Sequence, residues 1–270
     1  MLEITQLSKT FHAGTRNEVR PLQGVNLNVE AGSFVIVVGT NGSGKSTLLN
    51  AVAGSFLPDA GRISLAGHDI TRWPEHRRAR LIGRVFQNPF SGTAPGISIE
   101  ENLAMATQRG TRRGLGWALP RSLCRDFQER VGDLRMGLEG RLDTEIGTLS
   151  GGQRQALTLL MATWRRPELL LLDEHTAALD PRSADNVVRL TQQVVSRDKL
   201  TTLMVTHSMQ QAVNLGDRIV MMHRGSVAYR FEGADKQRLH VEDLLARFEE
   251  LRRREMLDDS VATFLQQTYI

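Results

Sequence analysis

The segment Gly39–Thr47, GTNGSGKST, contains the residue types that bind phosphate. Its spacing is G-x-x-x-x-G-K-[ST], and it lies between the apolar run FVIVV and a segment with helical spacing. Glycines let successive backbone N–H groups point into one concavity, where the positive end of the following helix also lies. Lys45 can then reach the β- and γ-phosphates, and the Ser46 hydroxyl can bind Mg²⁺. The candidate nucleotide site comprises Gly39, Thr40, Asn41, Gly42, Ser43, Gly44, Lys45, Ser46 and Thr47.

Two adjacent carboxylates, Asp173 and Glu174, follow the apolar run LLLL at 169–172. Acids often stand where a buried element reaches the surface, so the pair alone has a purely structural explanation. In phosphate-binding α/β folds, however, ligands lie at the carboxyl ends of the strands. Beside a phosphate loop, Asp173 can hold Mg²⁺, and Glu174 can act as the general base toward a water that attacks the γ-phosphate.

Two more polar residues follow apolar runs in the same way. TLMV is followed by THS, which predicts that His207 lies at the rim of the site and hydrogen-bonds the γ-phosphate. A lone histidine is more often structural, and only the neighbouring phosphate loop favours the catalytic interpretation. Gln87 follows LIGRVF, and its side chain can bind Mg²⁺ or water and report the nucleotide state to the segment after it.

The elements that must position these residues form an α/β pattern. The runs FVIVV, LLLL, TLMV and IVMM do not alternate with polar residues, which is typical of parallel strands buried on both faces. Segments with helical spacing lie between them, as expected for a parallel sheet with crossover helices. GVNLNVEAG does alternate, and it predicts a half-exposed antiparallel strand beside the main sheet.

The sequence pattern changes between residues 88 and 165, where arginines are frequent and helical spacing dominates. We therefore predict one domain over 1–270, with a nucleotide-binding core and antiparallel β part at 1–87 and 166–235. A helical subdomain is inserted at 88–165, with a loop or helix break at 112–122, and a helical extension occupies 236–270. That extension carries an apolar stripe that packs on the core or, alternatively, binds a partner. The stripe comprises Val241, Leu244, Leu245, Phe248 and Leu251.

Composition is that of an ordinary soluble domain, with 40% apolar and 24% charged residues. The net charge of +4 is too small to argue for a nucleic-acid partner. The single cysteine excludes an internal disulfide and fits a reducing compartment. No run approaches the roughly 20 apolar residues that cross a bilayer, and we see no signal peptide. A membrane role would therefore need a spanning partner chain.

A second glycine turn lies in LSGGQRQALTLLMA, Leu149–Ala162. Gly151 and Gly152 stand at the apparent start of a helix, which predicts a second anion site, although spacing does not say which phosphate it binds. The segment closely resembles the signature motif of ATP-binding cassette (ABC) proteins. The phosphate loop, LLLLDE, AALD, the glutamine after VF and the histidine after VT appear in the order expected for that family, and the resemblance covers roughly residues 2 to 232.

The resemblance implies a P-loop NTPase core working as a head-to-tail homodimer with two ATP and Mg²⁺ at the interface. Ser150, Gly151, Gly152 and Gln153 would face the γ-phosphate of ATP bound to the partner chain. Phe11 matches the aromatic residue that stacks on adenine, and Asp180 matches the loop that crosses the interface. Two positions depart from the family pattern: His175 replaces the usual proline, and Ala177 the usual serine. His175 is either a pH-sensitive element or a hydrogen-bonded bystander.

The function that the resemblance implies is ATP hydrolysis that energises a separate membrane permease. A groove in the helical subdomain would receive a permease helix, and the protein would lie on the cytoplasmic face of the bacterial inner membrane. An ATPase alone on its chain favours an importer with a solute-binding protein, and DEHTAALDP is similar to importer ATPases linked to aromatic amino acids. The alternatives are a soluble ABC ATPase acting on DNA or ribosomes, and a P-loop phosphotransferase or GTPase.

Arginines are frequent near the predicted loop, and they either meet anionic lipid headgroups or form a solvated face. They are Arg109, Arg112, Arg113, Arg121 and Arg125.

Overall fold

A computed structural model of the chain describes residues 1–110 and 121–254, and these residues form two sheets and their covering helices. The strands are β1 (Leu2–Phe11), β2 (Val19–Val29), β3 (Phe34–Gly39), β4 (Ala60–Leu65), β5 (His68–Asp69), β6 (Ile82–Val85), β7 (Leu169–Asp173), β8 (Thr202–Val205), β9 (Arg218–His223) and β10 (Ser226–Glu232). The helices are α1 (Lys45–Ala53), α2 (Glu75–Arg78), α3 (Ile99–Thr107), α4 (Arg121–Asp133), α5 (Gly151–Thr163), α6 (Pro181–Asp198), α7 (Met209–Asn214), α8 (Gly233–Gln237) and α9 (241–254).

The larger sheet has the strand order β10-β9-β3-β8-β7-β6. The neighbours from β6 to β9 are parallel, and β10 alone runs antiparallel to its neighbour β9. Val35 and Val37 pack in one apolar core, whereas Ile36 and Val38 pack in another on the opposite face. Because both faces are covered, the strands need no polar alternation. The predicted parallel sheet and its four apolar strands are confirmed.

The smaller sheet, in the order β2-β1-β4-β5, is antiparallel. Val25, Leu27 and Val29 of β2 are buried in the core that this sheet shares with α1 and one face of the larger sheet. The alternating residues Asn26 and Asn28 are exposed, since successive side chains of a strand point to opposite faces. The predicted half-exposed antiparallel strand is therefore confirmed.

Residues 88–165 contribute helices α3, α4 and α5 and a short 3₁₀ turn at Ile146–Thr148. Helix α3 begins at a capping box in which Ser98 accepts from the Glu101 N–H and Glu101 accepts from the Ser98 N–H. The boundaries of the three predicted parts of the chain remain predictions. The predicted loop or helix break falls largely outside the described residues, as do Arg112 and Arg113.

Arg109 does not belong to a solvated or lipid-facing arginine cluster, contrary to our expectation. Its Nη2 donates to the carbonyl oxygens of Ala162, at 2.9 Å, and Arg165, at 3.3 Å, and burial lowers the pKa of its guanidinium. The reason is that α3 ends against the carboxyl end of α5, where backbone carbonyls lack helical partners. Arg125 is exposed, as predicted.

Helix α9 docks on the core, which confirms the first interpretation of its apolar stripe. Leu244, Phe248 and Leu251 are buried in the core cluster that also contacts Tyr229 and Phe231. Leu245 is 48% exposed and was wrongly assigned to the stripe, because it lies one residue off the i, i+4, i+7 face. Among residues 1–110 and 121–254, no helix combines the length and apolarity needed to span a bilayer.

Candidate nucleotide site

The predicted chemical residues converge at the carboxyl edge of the larger sheet. Strands β3, β8, β7 and β6 are parallel neighbours in that order, so their carboxyl ends meet at one edge. Asp173 is the last residue of β7, and Glu174 follows it. Gln87 and His207 each lie two residues beyond the ends of β6 and β8. The topology explains why four residues from distant parts of the sequence share one site.

The phosphate loop keeps the first N–H groups of α1 free. Gly44 is the N-cap residue, with φ +98° and no side-chain hydrogen bond to the helix. A Cβ atom there would collide with the carbonyl oxygen of Pro21, and one on Gly39 would collide with that of Met222. Glycine is therefore required for packing as well as for the left-handed turn. The helix end presents unsatisfied donors, which is what an anion requires.

Lys45 and Ser43 lie in this loop in a state that suits an incoming phosphate. The Nζ of Lys45 donates to the carbonyl oxygens of Gly39 and Thr40, both at 2.8 Å. Burial lowers the pKa of Lys45, while the charges of Glu174 and Asp173 oppose that shift. Within the described residues the buried Ser43 Oγ has no hydrogen-bond partner. A bound phosphate would supply acceptors for both side chains, so the loop fits the ligand predicted for it.

Asp173 and Ser46 form an oxygen-rich pair beside the loop. The Ser46 hydroxyl donates to Oδ1 of Asp173 at a long 3.5 Å. Burial raises the pKa of Asp173, and the neighbouring Arg84 opposes that rise. Carboxylate, hydroxyl and amide oxygens are the hard ligands that Mg²⁺ prefers, and the loosely held pair can accept such an ion. The donor set therefore fits the predicted metal.

Glu174 contacts two of the other candidate residues, Gln87 and His207. Its Oε2 accepts from Gln87 Nε2 at 3.1 Å and lies 3.3 Å from His207 Nδ1. Its backbone has φ +43°, a left-handed conformation that is uncommon outside glycine and asparagine. Such strain persists where the surroundings hold a residue for function. In this structure Gln87 contacts Glu174, and its predicted role as a metal ligand remains a prediction.

A cavity of about 600 Å³ extends from the phosphate loop to Phe11. It is also lined by His12, Val19 and Pro21, which the sequence reasoning missed. Val19 pairs with Phe11 across β1 and β2 and is 57% exposed, an unusual position for an apolar side chain. Val19 could have been identified from its pairing with Phe11. The irregular loop between β1 and β2 prevents that pairing from being predicted from the sequence. Phe11 itself packs edge-to-face on Phe56, with centroids 5.2 Å apart.

The signature turn is built differently from the phosphate loop. Ser150 caps α5, accepting from the Gln153 N–H, while the Gln153 side chain accepts from the Ser150 N–H. Arg154 donates to the carbonyl oxygens of Ile146, Gly147 and Leu149, which fixes the chain just before the cap. Within the part of the chain that the structure describes, no residue of 150–153 lines the phosphate-loop cavity. Within one chain, the signature turn and the phosphate loop therefore do not line the same cavity.

His175 and Asp180 follow Asp173 and Glu174 in the segment that leads to α6. Asp180 is the N-cap of α6, and its Oδ1 accepts from the Ser183 N–H at 3.1 Å. A hydrogen bond from the Ser183 side chain, followed by the one from its backbone N–H, lowers the pKa of Asp180. The predicted position of Asp180 at a dimer interface stays a prediction.

His175 is buried and neutral. Its Nε2 lies 3.0 Å from Thr191 Oγ1, whose own hydrogen is donated to the Val187 carbonyl oxygen. The ring therefore carries its hydrogen on Nε2, since the hydroxyl has no second hydrogen to offer. Burial lowers the pKa of His175 to about 4. This geometry favours the hydrogen-bonded bystander over a switch near neutral pH.

A groove of about 640 Å³ runs between the segment after Gln87 and helices α3 and α5. Its walls include Phe86, Thr93, Met105 and Met161. Met105 is 49% exposed, which leaves an apolar side chain at the groove's rim. The groove lies on the part of the chain predicted to meet a permease.

Comparison with known proteins is consistent with this geometry. A family model described as ABC transporter matches residues 22–177. A tyrosine transport ATP-binding protein of Clostridioides difficile is 39% identical over 249 residues, which cover 92% of this chain and 99% of that protein. The lipoprotein-releasing system ATP-binding protein LolD of a Ruegeria species is 35% identical over 235 residues, covering 85% of this chain and 98% of LolD. A solved dimeric ATP-binding cassette in a post-hydrolysis state with ADP and phosphate is 26% identical, with a TM-score of 0.73, over 86% of this chain and 98% of the other.

Proposed function

The chain belongs to the ABC transporter family as an ATP-binding subunit, and from this premise we propose that it hydrolyses ATP to drive import of a small solute through a separate permease. The observation that carries the proposal is the convergence of Lys45, Asp173 and Glu174 at one sheet edge. These residues supply a phosphate-binding cation, a metal-binding carboxylate and a general base.

Each residue of the site has a proposed task in hydrolysis. Lys45 leaves the carbonyl oxygens of Gly39 and Thr40 and binds the β- and γ-phosphates. Asp173, Ser46 and Gln87 would hold Mg²⁺, which would neutralise phosphate charge. Glu174 takes the proton of the attacking water. His207 contacts the γ-phosphate, and its present distance of 3.3 Å from Glu174 supports that placement.

We propose that the complete site forms between two chains. Ser150, Gly151, Gly152 and Gln153 would contact the γ-phosphate of ATP held by a partner copy, with Asp180 beside the water. Support comes from the separation of the signature turn from the phosphate-loop cavity within one chain. The dimeric arrangement of the related cassette with ADP and phosphate gives further support.

The groove beside α3 is the proposed docking site for a permease helix. The groove is bounded by the segment that follows Gln87, and Gln87 donates a hydrogen bond to Glu174. A helix in the groove would therefore contact a segment that is connected to the proposed base. Its partly apolar wall, with Met105 at the rim, suits an amphipathic helix. Docking there would place the protein peripherally on the cytoplasmic face of a bacterial inner membrane.

The proposed substrate is an aromatic amino acid, delivered by a solute-binding protein. This rests on the Clostridioides difficile relative, which is named for tyrosine transport and matches nearly end to end. A second candidate is lipoprotein release, because the LolD relative matches over 98% of its own length. We propose no nucleic-acid partner, given the small positive charge.

The test begins with affinity purification of the tagged protein from its native membranes in mild detergent. Co-purification of a multi-helix membrane protein supports the proposal, whereas recovery with ribosomal or DNA-repair proteins contradicts it. Uptake of labelled tyrosine, phenylalanine and tryptophan is then compared between wild-type cells and cells carrying Glu174→Gln. Loss of aromatic uptake supports the substrate. Unchanged uptake of all three, with lipoproteins retained in the inner membrane, supports the second candidate instead.

A further inference from the structure

Arg84 lies inside the proposed metal site although its sequence position gave no sign of it. It belongs to β6, where it is paired in parallel register with Leu171 of β7. Side chains two residues apart on a strand share a face, so Arg84 lies on the same side of the sheet as Asp173, two residues after Leu171. Its Nη2 lies 3.5 Å from Oδ2 of Asp173, and both side chains are largely buried.

The guanidinium is anchored independently of that carboxylate. Its Nη2 donates to Oδ1 of Asn50 at 2.6 Å, its Nη1 donates to Ser55 Oγ at 3.3 Å, and its Cζ lies over the Phe86 ring, 4.4 Å from the centroid. Both partners on the α1 side hold Arg84 where it is, even if Asp173 turns toward another cation. A fixed positive charge therefore remains beside the metal-binding carboxylate.

The contacts of Asp173 are consistent with an exchangeable partner. Neither the Arg84 contact nor the Ser46 contact is shorter than 3.5 Å, which is long for a charge-assisted hydrogen bond. Within the described residues, the buried Nε of Arg84 has no hydrogen-bond partner. The pair is thus an electrostatic contact between incompletely satisfied groups, not a tight bidentate salt bridge.

We propose that Arg84 is the resident counter-ion of Asp173 and sets the affinity of the site for its divalent cation. The fixed positive charge of Arg84 lies 3.5 Å from the carboxylate and repels a divalent cation that approaches it. The site consequently binds metal more weakly than its ligands alone would, which favours release after each turnover. This inference rests on the proposed function, because it takes Asp173 as a metal ligand.

The test is Mn²⁺ binding, followed by the electron paramagnetic resonance signal of free Mn²⁺, with the protein in excess over ATP so that the nucleotide is protein-bound. A Glu174→Gln background prevents turnover. Arg84→Gln should tighten Mn²⁺ binding roughly tenfold, since removing a unit charge near a divalent ion removes a repulsion of that size. Arg84→Met should tighten Mn²⁺ binding by the same factor. Its long side chain can still pack on Phe86, so it is the alternative neutral variant if Arg84→Gln folds poorly.

Two controls separate charge from packing. Arg84→Lys keeps the charge but loses the fork to Asn50 and Ser55, and it should stay within about twofold of the parent. Arg62→Gln removes an arginine from an exposed ion pair with Asp69 in the smaller sheet, and it should have no effect. Metal-free ATP binding in EDTA should be the same in the parent and Arg84→Gln.

Three results would overturn the inference. Mn²⁺ affinity within twofold of the parent for both neutral variants would exclude a counter-ion role. An equal shift in Arg84→Lys would assign the effect to packing. Altered metal-free ATP binding would place Arg84 on the nucleotide instead. If the parent itself shows no Mn²⁺ binding with ATP, the metal site of the proposed function fails, and this inference fails with it.

Discussion

The phosphate loop and the signature turn are both glycine-rich segments at the start of a helix, yet the two helix ends are capped differently. Gly44 caps α1 without a side chain, so the first N–H groups of that helix stay unsatisfied. Ser150 and Gln153 close a capping box on α5, so the N–H groups of these two residues are already bonded, although the box does not engage those of Gly151 and Gly152. The phosphate loop is thus prepared for an anion within one chain.

An anion that takes the N–H group of Ser150 or Gln153 must exchange an existing hydrogen bond for a new one. That exchange yields little net free energy, since one hydrogen bond replaces another. We therefore expect the phosphate loop to carry most of the affinity for ATP. The signature turn would contribute only when a second chain brings the γ-phosphate to it. Two glycine turns at helix starts can thus differ in how many of their first donors are already engaged.

The largest expected effect isolates the chemistry while leaving both turns intact. Glu174→Gln removes the proposed base but keeps an acceptor for Gln87, and it should lower the rate of ATP hydrolysis by about 1,000-fold. ATP affinity should change less than about twofold. Phosphate release measures the rate, with the exposed Glu242→Gln as control. Hydrolysis at the wild-type rate would remove Glu174 from the mechanism.

The next effect tests the claim that affinity belongs to the phosphate loop. Lys45→Met removes the buried ammonium group, and the dissociation constant for ATP in the isolated chain should rise about 100-fold, as expected for one or two lost charged hydrogen bonds. Titration calorimetry measures this. Lys199→Met, at the amino-terminal edge of the larger sheet, is the matched control. An affinity within threefold of wild type would contradict the comparison.

A third prediction concerns pH and uses His175, whose buried Nδ1, like Ser43 Oγ, has no hydrogen-bond partner within the described residues. Its folded-state pKa of about 4 lies below the unfolded value of 6.5, so only the unfolded chain takes up the proton as pH falls through this window. The contribution of this pKa difference to the free energy of unfolding is present above pH 6.5 and is lost as the pH falls toward 4. Between pH 7 and pH 5 the loss is about 2 kcal/mol.

The pH prediction is checked by urea unfolding of wild type and His175→Gln at both pH values. The glutamine keeps a donor for Thr191 but does not titrate, so the pH-dependent loss should be about 2 kcal/mol smaller in this variant. Equal losses in the two proteins would show that His175 is not held neutral by burial. ATP affinity at pH 7 should be unaffected.

The smallest expected effect is the loss of stability when the capping box of α5 is removed. Ser150→Ala should cost about 1 kcal/mol of stability, and Ser150→Gly only a few tenths. For a chain of this size the alanine variant would lower Tm by roughly 2–4 °C. ATP affinity of the isolated chain should stay within twofold. An unchanged Tm in the alanine variant would mean that the cap does not stabilise α5.

Much of the fold and the ends of its strands could be predicted from the sequence. FVIVV and LLLL lack polar alternation because β3 and β7 are covered on both faces, and a local pattern records that burial directly. The polar residues just beyond these strands could be assigned to one edge because parallel strands end together. The start of α5 at Gly151 was also predicted correctly.

Contacts between distant segments could not be predicted. HRRAR has the pattern of an exposed basic run, yet Arg78 is fully buried. Its guanidinium donates to the carbonyl oxygens of Trp73, Ala51, Val52 and Thr71. Two of these carbonyls belong to α1, about 26 residues earlier. Arg84 was missed for the same reason, since only the pairing of β6 with β7 brings it to Asp173.

The most direct test of the account is the sedimentation of Glu174→Gln with and without MgATP. We predict a monomer without nucleotide, a dimer with it, and a monomer in both conditions when Ser150→Arg is added. Titration calorimetry should find ATP bound equally well by both variants. A double variant that still forms the dimer, or one that loses ATP binding as a monomer, would contradict a signature turn that acts across two chains.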